Sequence, residues 1–403
     1  MLVVEKYGGS SVATIEKIKN IAAHLVERKK QGDQIVVVAS AMGKTTNQLI
    51  EESKQVSDKV HPRELDALLA LGEAKTVPLL AMAVQDLGED AISLTSTQIG
   101  LRATSRHQRA QIKYIDATRI KRHLAEGKIV IVAGFQGTND EGDIVTLGRG
   151  GSDTSAVALA AILQCPCEIY TDVNGLYSVD PRKYPAAQKL DAASYDLVME
   201  MANQGSKVME PRSVEIAKKY NVHLYIGQSL QPKPKYGTIV MDNQLTLEEK
   251  LVSGISINEN VSMITVRNIP SNSNITCKIF NLINKYELNV DMINQSIGIN
   301  NNLVLTFSCN KDDAHLVDKL VQENSDIFQN LTVDKQYDNL VKLSLVGVGM
   351  ASHFGVAARV FGILDKIGVP FYHVTTSEIT IAVTIDAAKT GDAIPALASE
   401  FNL

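Results

Sequence analysis

Short apolar runs alternate with helical patterns over the first 230 residues of the chain. Six of these runs cover residues 2–8, 34–42, 91–97, 129–135, 167–173 and 221–227, and several of them are nearly uninterrupted in Val and Ile. Runs of this kind are typical of strands that are covered on both faces in a parallel sheet. Between them, apolar residues at helical spacing predict helices over residues 14–30, 62–87, 116–126, 153–164 and 195–204. The pattern predicts an α/β fold with a mostly parallel central sheet.

A different pattern begins after residues 227–238, where Pro232 and Pro234 precede a polar stretch that ends near Lys250. Beyond it lies an internal repeat. Residues 275–290 match residues 356–371 at a constant offset of 81 residues, so that Phe280 aligns with Phe361. Each copy has the pattern of a strand, a loop, an amphipathic helix and a second strand. The last third of the chain is therefore predicted to contain two copies of a β-α-β unit.

Length and composition support several domains in a globular chain. The 403 residues exceed what one hydrophobic core usually holds, and 45% hydrophobic with 21% charged residues is ordinary for a folded protein. A net charge of −5 with scattered Lys and Arg predicts no nucleic-acid partner. We find no signal-peptide pattern at the start and no apolar run of about 18 residues, so we expect a cytoplasmic protein without a membrane span.

The cysteines and histidines indicate no metal centre. The four cysteines, Cys165, Cys167, Cys277 and Cys309, are too few for a disulfide framework, and Cys-Pro-Cys lacks a second pair for zinc. The histidines show no paired-ligand spacing. We expect structural thiols and no metal bound by a cluster of side chains.

A glycine-rich loop, Lys6-Tyr-Gly8-Gly9-Ser10-Ser11, lies between a predicted strand and a predicted helix. Paired glycines let the main chain approach a polyphosphate, the helix N-terminus offers free N–H groups, and Lys6 adds a positive charge. A tight βα turn without a ligand is the alternative. The spacing fits neither GxxxxGK[ST] nor GxGxxG, so a P-loop and a dinucleotide site are both excluded.

A second glycine-rich element, residues 147–155, also opens a predicted helix. Arg149 can grip a carboxylate with two hydrogen bonds. Asp153 can cap the helix, orient a lysine or help to hold Mg²⁺. Simple capping by Ser152 or Asp153 is the alternative.

Six motifs in order resemble those of the aspartokinase family and extend over essentially the whole chain. They are KYGGSS at 6–11, SAMGKTT at 40–46, LLALGE at 68–73, GRGGSDTSA at 148–156, TDVNGLYSVDPR at 171–182 and GSKVMEPRS at 205–213. The resemblance implies an amino-acid kinase-like three-layer αβα sandwich followed by two α+β ACT domains of ferredoxin-like type. It implies a catalytic domain at 1–245 and ACT domains at 261–335 and 340–403, the second completed by the strand at 251–258.

The same resemblance implies roles for individual residues. Lys6 and Asp153 would be catalytic, with Asp153 organising Lys6 and the metal. Arg149 would pair with the α-carboxylate of aspartate and Glu73 would accept from its α-amino group. The implied ATP-binding residues are Lys6, Tyr7, Gly8, Gly9, Thr171, Asp172, Tyr177, Arg182 and Lys207, and the other substrate-binding residues are Ser40, Thr46 and Ser152. Glu210 stands where many relatives have His.

The implied reaction transfers the γ-phosphoryl group of ATP to the β-carboxylate of L-aspartate, the first step of lysine, threonine and methionine biosynthesis. Near neutral pH this carboxylate, with an ordinary pKa of about 3.9, is already an anionic nucleophile, so no general base is needed. The reaction needs in-line positioning and neutralisation of charge, which lysines, helix N-termini and Mg²⁺ supply. ATP and Mg²⁺ are the expected cofactors, the metal being carried by ATP.

The resemblance also implies regulation by lysine or threonine and a dimer formed through the ACT domains. The implied effector-binding residues are Asn289, Asp291, Asn294, Gln295, Ser296, Thr376 and Ser377. A purely structural, dimerising role is the alternative. Residues 271–274 read Ser-Asn-Ser-Asn where relatives commonly have Asp-Lys-Pro-Gly, and we expect Asn to keep this turn because it tolerates a left-handed backbone.

Two other functions fit part of the pattern. In the first, the kinase acts on glutamate or another small carboxylate or carbamate. The distance from Arg149 to the transferred phosphate, which must fit one amino-acid length, would distinguish these substrates. A non-catalytic amino-acid sensor with an inactive kinase body is the second. The presence of Lys6, Arg149 and Asp153 together argues against the sensor.

Overall fold

The computed structural model describes residues 1–206, 208–231, 233, 236–242, 250–298, 301–336 and 339–403. The chain divides into two units. The first comprises Met1–Ser178, Gln188–Asn203 and Lys207–Leu247, and the second comprises Val179–Ala187, Gln204–Ser206 and Glu248–Leu403.

The first unit alternates strands and helices. In chain order these are β1 Leu2–Tyr7, α1 Ile15–Lys30, β2 Gln34–Ala39, α2 Thr45–Val56, α3 Pro62–Leu69, α4 Leu71–Asp86, β3 Ala91–Leu94, β4 Leu101–Ala103, β5 Ile112–Ile115, α5 Thr118–Ala125, β6 Ile129–Ala133, β7 Gln136–Thr138, β8 Ile144–Thr146, α6 Gly151–Leu163, β9 Cys167–Thr171, β10 Ala192–Ala193, α7 Tyr195–Asn203, α8 Pro211–Tyr220, β11 Leu224–Gln228 and β12 Gly237–Val240.

Eight strands of this unit form one sheet in the order β10-β12-β11-β9-β1-β2-β6-β3. Every adjacent pair is parallel except β11 with β12. The central strands are buried along nearly their whole length because helices cover both faces, which explains their continuous apolar runs. A separate four-stranded sheet has the order β5-β4-β7-β8. The predicted mostly parallel α/β fold is confirmed.

The predicted helices appear with two differences. The stretch 62–87 forms two helices that meet at Ala70. Two further helices, α2 and α8, and the small sheet were not predicted. No residue of helix α2 is fully buried, and strands β4, β7 and β8 are only three residues long, too short for a period-two pattern.

One helical stretch, Pro62–Asp86, is long and apolar enough to cross a membrane by length and composition alone. Glu73, Lys75 and Pro78 interrupt the stretch, so it is not a continuous apolar run. Half of its most apolar window is buried within the structure, and the core helix of a globular domain passes the same test. Helix α4 contributes Val77, Leu80 and Val84 to the core beneath the eight-stranded sheet, which accounts for its composition.

The second unit contains two four-stranded antiparallel sheets. Its elements are β13 Gly254–Asn258, β14 Ser262–Pro270, α9 Ile275–Lys285, β15 Ile293–Ile297, β16 Asn302–Cys309, α10 Ala314–Glu323, α11 Ser325–Phe328, β17 Thr332–Gln336, β18 Leu340–Val346, α12 Val356–Lys366, β19 Phe371–Thr376, β20 Thr380–Asp386 and α13 Thr390–Glu400. The sheet orders are β15-β16-β14-β17 and β13-β18-β20-β19. Helices α9 and α12 start 81 residues apart, at Ile275 and Val356, as the repeat requires.

Each of these sheets packs its helices over a separate core. Ile264, Ile279 and Phe307 belong to the first core, and Leu343, Val360 and Leu397 to the second. In the second sheet β13 occupies the edge position that β17 occupies in the first. The turn at 271–274 does not use a left-handed Asn, contrary to expectation. Ser273 closes it instead, with its main-chain N–H and its hydroxyl both donating to Pro270 O, and the left-handed residue is Asn268, with φ of 64°.

Candidate active site

The loop after β1 brings main chain close to main chain. Gly8 N donates to Tyr170 O at 3.2 Å, and Gly43 N donates to Gly9 O at 3.0 Å. A Cβ atom on Gly9 would lie 2.9 Å from Ala41 O, so only glycine fits this position. The predicted helix follows at Ile15, capped by the Thr14 hydroxyl. The loop thus places a helix N-terminus, the kind of group that binds phosphates, directly after two closely packed glycines.

Lys6 and Asp153 form a buried ion pair at this loop. Lys6 Nζ lies 2.7 Å from Asp153 Oδ1, and their side chains are only 11% and 12% exposed. Asp153 Oδ1 has no further polar partner among the described residues. Asp153 lies in the first turn of α6, on the side of the sheet that Lys6 faces. A buried pair of this kind holds a cationic amine in a fixed position.

A pair of serines joins the loop to the β11–β12 connection. The hydroxyls of Ser11 and Ser229 are 2.6 Å apart, and Ser229 follows β11 directly. Lys17 Nζ also donates to Ser10 O at 2.8 Å. Sequence reasoning missed Ser229, because no local pattern links position 11 with position 229.

Glu73 lies in the first turn of α4 and is 3% exposed. Its Oε1 accepts a hydrogen bond from Ala41 N at 3.0 Å, whereas its Oε2 is buried and has no hydrogen-bond partner in the described part of the chain. Burial raises the pKa of Glu73 to about 7, against the lowering effect of the main-chain hydrogen bonds. A buried carboxylate oxygen without a partner is suited to receive a cationic group from a ligand.

Gly150 has Arg149 as its neighbour in sequence and Glu210 as its neighbour in space. Gly150 has a φ of 63°, and a Cβ atom there would be 2.4 Å from Glu210 Cβ. Burial and the charge of Asp153 raise the pKa of Glu210, while Arg212 and Arg149 lower it. Arg149 itself is exposed. The acidic residue at 210 therefore packs on the loop that carries Arg149.

The other predicted substrate residues border the same strand ends. Ser40 directly follows β2, with Ser40 N donating to Tyr7 O at 3.1 Å, and Thr46 is half-buried in the first turn of α2. Ser152 is buried at the start of α6, where a Cβ on Gly134 would lie 2.9 Å from its Oγ.

Tyr7 follows Lys6 in the same motif, but its side chain has a different environment. It is fully buried, its hydroxyl donates to Glu5 Oε2 at 2.6 Å, and its ring stacks on Tyr170 with centroids 5.0 Å apart. Its carbonyl accepts from Ser40 N. Tyr7 alternates with Lys6 along the strand and so faces the opposite side of the sheet, and its place among the ATP-binding residues stays a prediction.

The structure gives contacts for some of the nucleotide-binding residues that were predicted after β9. The Thr171 hydroxyl donates to Asp172 Oδ1 at 2.9 Å, and Tyr177 is half-buried. Arg182 belongs to the second unit and pairs with Asp180 at 2.7 Å, and Lys207 lies outside the described residues. Asn174 Oδ1 is buried without a partner among the described residues, a polar group that sequence reasoning did not single out.

Mg²⁺ usually keeps several waters and binds through one or two carboxylates together with substrate phosphates. No group of three or more His, Cys, Asp or Glu residues that could hold a metal occurs in the described ranges. Asp153, whose Oδ1 contacts only Lys6, supplies one carboxylate beside the glycine loop. This carboxylate fits the single protein ligand that a phosphate-bound Mg²⁺ needs.

The predicted effector residues cluster along two exposed edge strands of the second unit. Asn294, Gln295 and Ser296 lie on β15, and Asn289 and Asp291 precede it. Gln295 Oε1 accepts from the Thr276 hydroxyl at 3.1 Å, and Asp291 pairs with Lys342, whose side chain is 1% exposed. Thr376 and Ser377 lie at the end of β19, all exposed.

Comparison with known proteins identifies the family of each part of the chain. A model of the amino acid kinase family matches residues 1–228, and an ACT domain model matches residues 343–401. The fold and the site thus define an amino-acid kinase with a regulatory ACT portion.

Similar proteins of known family show which family within this class the chain belongs to. The chain is 40% identical to an aspartokinase of Pseudomonas aeruginosa and to aspartokinase 2 of Bacillus subtilis, covering all of this chain and 98% of each relative. Among solved structures, aspartate kinase from Synechocystis is 34% identical with a TM-score of 0.56, covering 100% of this chain and 69% of that one. Escherichia coli aspartokinase III, solved with aspartate and ADP, has a TM-score of 0.82 at 23% identity with full coverage of both chains, a likeness of fold. The chain belongs to the aspartokinase family, and it is an enzyme.

Proposed function

We propose that this enzyme transfers the γ-phosphoryl group of ATP to the β-carboxylate of L-aspartate, giving 4-phospho-L-aspartate for lysine, threonine and methionine biosynthesis. The observation that carries the proposal is Glu73, a buried carboxylate with one unpartnered oxygen and a pKa of about 7. The α-ammonium group of an amino acid would give that oxygen a charged partner and favour ionised Glu73. An acceptor without an amino group would leave it unpaired.

The other residues complete the acceptor site. Arg149 would bind the α-carboxylate with two hydrogen bonds, which fixes the acceptor at both ends. Gly8, Gly9 and the N-terminus of α1 would bind the phosphates, and Lys6, held by Asp153 at 2.7 Å, would neutralise charge on the transferred group. Asp153 would share Mg²⁺, which when bound supplies further neutralisation of phosphate charge. Transfer then requires positioning and charge neutralisation, without proton abstraction.

A coupled assay of ATP-dependent hydroxamate formation tests the proposal, with aspartate, glutamate, or no amino acid as acceptor. We expect turnover with aspartate alone, lost in Lys6→Ala. Lys30→Ala, an exposed lysine at the end of α1, is the matched control and should keep the wild-type rate. Turnover with glutamate alone would move the assignment to another carboxylate kinase. Absence of turnover with every acceptor, with lysine or threonine still bound, would favour an amino-acid sensor.

We also propose that the two edge strands of the second unit pair between copies of the chain. All five residues of β15 are exposed, including Ile293 at 53% and Ile297 at 72%, and Tyr372 and Val374 are exposed on β19. An exposed apolar edge strand tends to pair with another strand. The effector residues lie on these same edges, so a small amino acid such as lysine or threonine would bind where the copies meet.

Sedimentation velocity tests this arrangement. We expect wild-type dimers or larger assemblies, and Ile297→Lys should dissociate them. Val56→Lys, which places the same charge on an 88% exposed apolar residue of the first unit, should not. A wild-type monomer would overturn the proposal. The kinase assay with lysine and threonine, singly and together, identifies the effector.

We place the enzyme in the cytoplasm. Its four cysteines are all free, although Cys165 and Cys167 are near neighbours in sequence, which agrees with a reducing compartment. Localisation of a tagged chain by fractionation tests this, and recovery outside the cytoplasm would contradict it.

A further inference from the structure

A second buried carboxylate in the catalytic unit has no part in the chemistry proposed above. Asp66 of α3 is 0% exposed. Its carboxylate accepts from Gln108 N at 3.0 and 3.2 Å and from the Thr146 hydroxyl at 2.6 Å, and it lies 2.8 Å from His107 Nδ1. A buried carboxylate is tolerated only when its oxygens are well bonded, and here both are. Asp66 therefore has no oxygen free for a ligand.

All of these partners belong to two segments that flank Arg149. Gln108 and His107 lie in the loop before β5, and Thr146 ends β8, three residues before Arg149. The two segments are joined directly, because Ala110 N donates to Thr146 O at 3.0 Å. Asp66 thus bonds to both of the segments that meet at the Ala110–Thr146 hydrogen bond, which we call the junction.

A second charged residue, on another helix, donates hydrogen bonds to both segments of the junction. Arg212 of α8 donates to Leu147 O at 2.9 Å and to Ala110 O at 3.0 Å. Gly148, with φ of 83°, is packed so tightly on the loop that a Cβ there would lie 2.9 Å from Gln108 O. The main chain immediately before Arg149 is therefore fixed by α3 on one side and by α8 on the other.

Arg149 needs such support. Its side chain is exposed, and within the described ranges it makes no hydrogen bond, so its direction depends on the main chain that carries it. A displacement of about 1 Å in a substrate-positioning group can cost about a hundredfold in rate.

We propose that Asp66 and Arg212 are positioning residues that hold the Gly148 main chain so that Arg149 meets the acceptor's α-carboxylate. This inference rests on the proposed function. It predicts that loosening the junction weakens binding of the amino acid and leaves binding of ATP intact. A merely structural role for Asp66 would lower stability without separating the two substrates.

Thr146 offers the mildest test, because Thr146→Val removes only the hydroxyl bonded to Asp66 and Thr146→Ser keeps it. We expect Thr146→Val and Asp66→Asn to raise KM for aspartate about tenfold, with KM for ATP changed less than about twofold. Thr146→Ser should restore most of the difference. Glu64→Gln is the matched control, because Glu64 is an exposed carboxylate of the same helix, paired with Arg63 at 2.6 Å and outside the junction. Its KM for aspartate should stay at the wild-type value.

Steady-state kinetics in both substrates, with thermal unfolding of each variant, separates the outcomes. The inference is overturned if Thr146→Val raises both KM values alike, changes neither, or behaves as Thr146→Ser does. If a variant does not fold, the serine and valine pair at 146 still decides. A wild-type enzyme without aspartate turnover would overturn the proposed function and this inference together, whereas wild-type turnover with unaltered variants would overturn this inference alone.

Discussion

The raised pKa of Glu73 makes a quantitative prediction about stability. The change is Glu73→Gln, which keeps an oxygen to accept from Ala41 N and removes the titration. In the folded protein the pKa is raised from 4.5 to about 7, so wild-type Glu73 stays protonated between those values while the unfolded chain has released its proton. The free energy of unfolding of the wild type must therefore fall as pH rises through this range.

The size of the effect follows from the same shift. Each pKa unit corresponds to about 1.4 kcal/mol, so the full rise corresponds to about 3 kcal/mol. Below pH 4.5 both states are protonated and no penalty exists, and above about pH 7 the penalty is constant. The difference in free energy of unfolding, Glu73→Gln minus wild type, should grow by about 3 kcal/mol between pH 4.5 and 7.5.

Urea unfolding at a series of pH values measures this difference. Far-UV circular dichroism and the twelve tyrosines report the transition, since the chain has no tryptophan. Glu64→Gln, an exposed carboxylate on α3, controls for the loss of one negative charge. Saturating aspartate should abolish the slope in the wild type if its ammonium group pairs with Glu73. A difference that stays flat from pH 4.5 to 7.5 would refute the reasoning, because Glu73 would then ionise in the folded state as it does in the unfolded one.

Three other changes test buried contacts. Lys6→Met leaves the buried Asp153 carboxylate without its counter-charge, so urea unfolding should show a loss of stability of about 3 kcal/mol. The double variant Lys6→Met/Asp153→Asn should recover most of this stability, while neither variant turns over. Full stability in the single variant would contradict this. Gly150→Ala places an alanine at a φ of 63° and its methyl group 2.4 Å from Glu210 Cβ. The substitution should therefore lower Tm and cost at least about 2 kcal/mol of folding free energy. An unchanged Tm would count against this geometry. Asp291→Ala removes the counter-charge of the buried Lys342 and should cost about 1 to 2 kcal/mol, since Asp291 itself is half-exposed. Lys342→Met should be nearly neutral, and equal losses by urea unfolding would contradict the assigned burial.

Local signals predicted the parts of the fold that depend on short stretches of chain. Continuous apolar runs identified the central strands, because burial on both faces removes polar positions from a parallel strand. The glycine loop after β1 and the repeat offset of 81 residues were likewise readable, since each is set by neighbouring residues. Helix α2, which has no fully buried residue, was not predicted.

Some features of the site region depend on geometry that a motif does not show. Tyr7 lies in the same motif as Lys6, but alternation along a strand sends their side chains to opposite faces. The junction of Asp66 with Gln108 and Thr146 joins positions that are 42 and 80 residues apart. A single sequence carries no periodic signal for contacts of that separation, so they became visible only in three dimensions.

Among the described residues, buried polar atoms without a hydrogen-bond partner occur at the predicted site, on Glu73, Asp153 and Asn174, and also elsewhere, on Arg119 and Tyr225. Asp66 has every oxygen bonded and serves the fold, whereas Glu73 has a buried oxygen without a partner in the described residues. Such a group lowers the stability of the free protein and is recovered only when a ligand supplies the missing charge. A chain that had become a sensor with an inactive kinase body would gain stability by replacing Glu73 with an apolar residue. The retained Glu73, beside an intact Lys6 and Asp153 pair, is therefore better explained by catalysis than by a structural remnant.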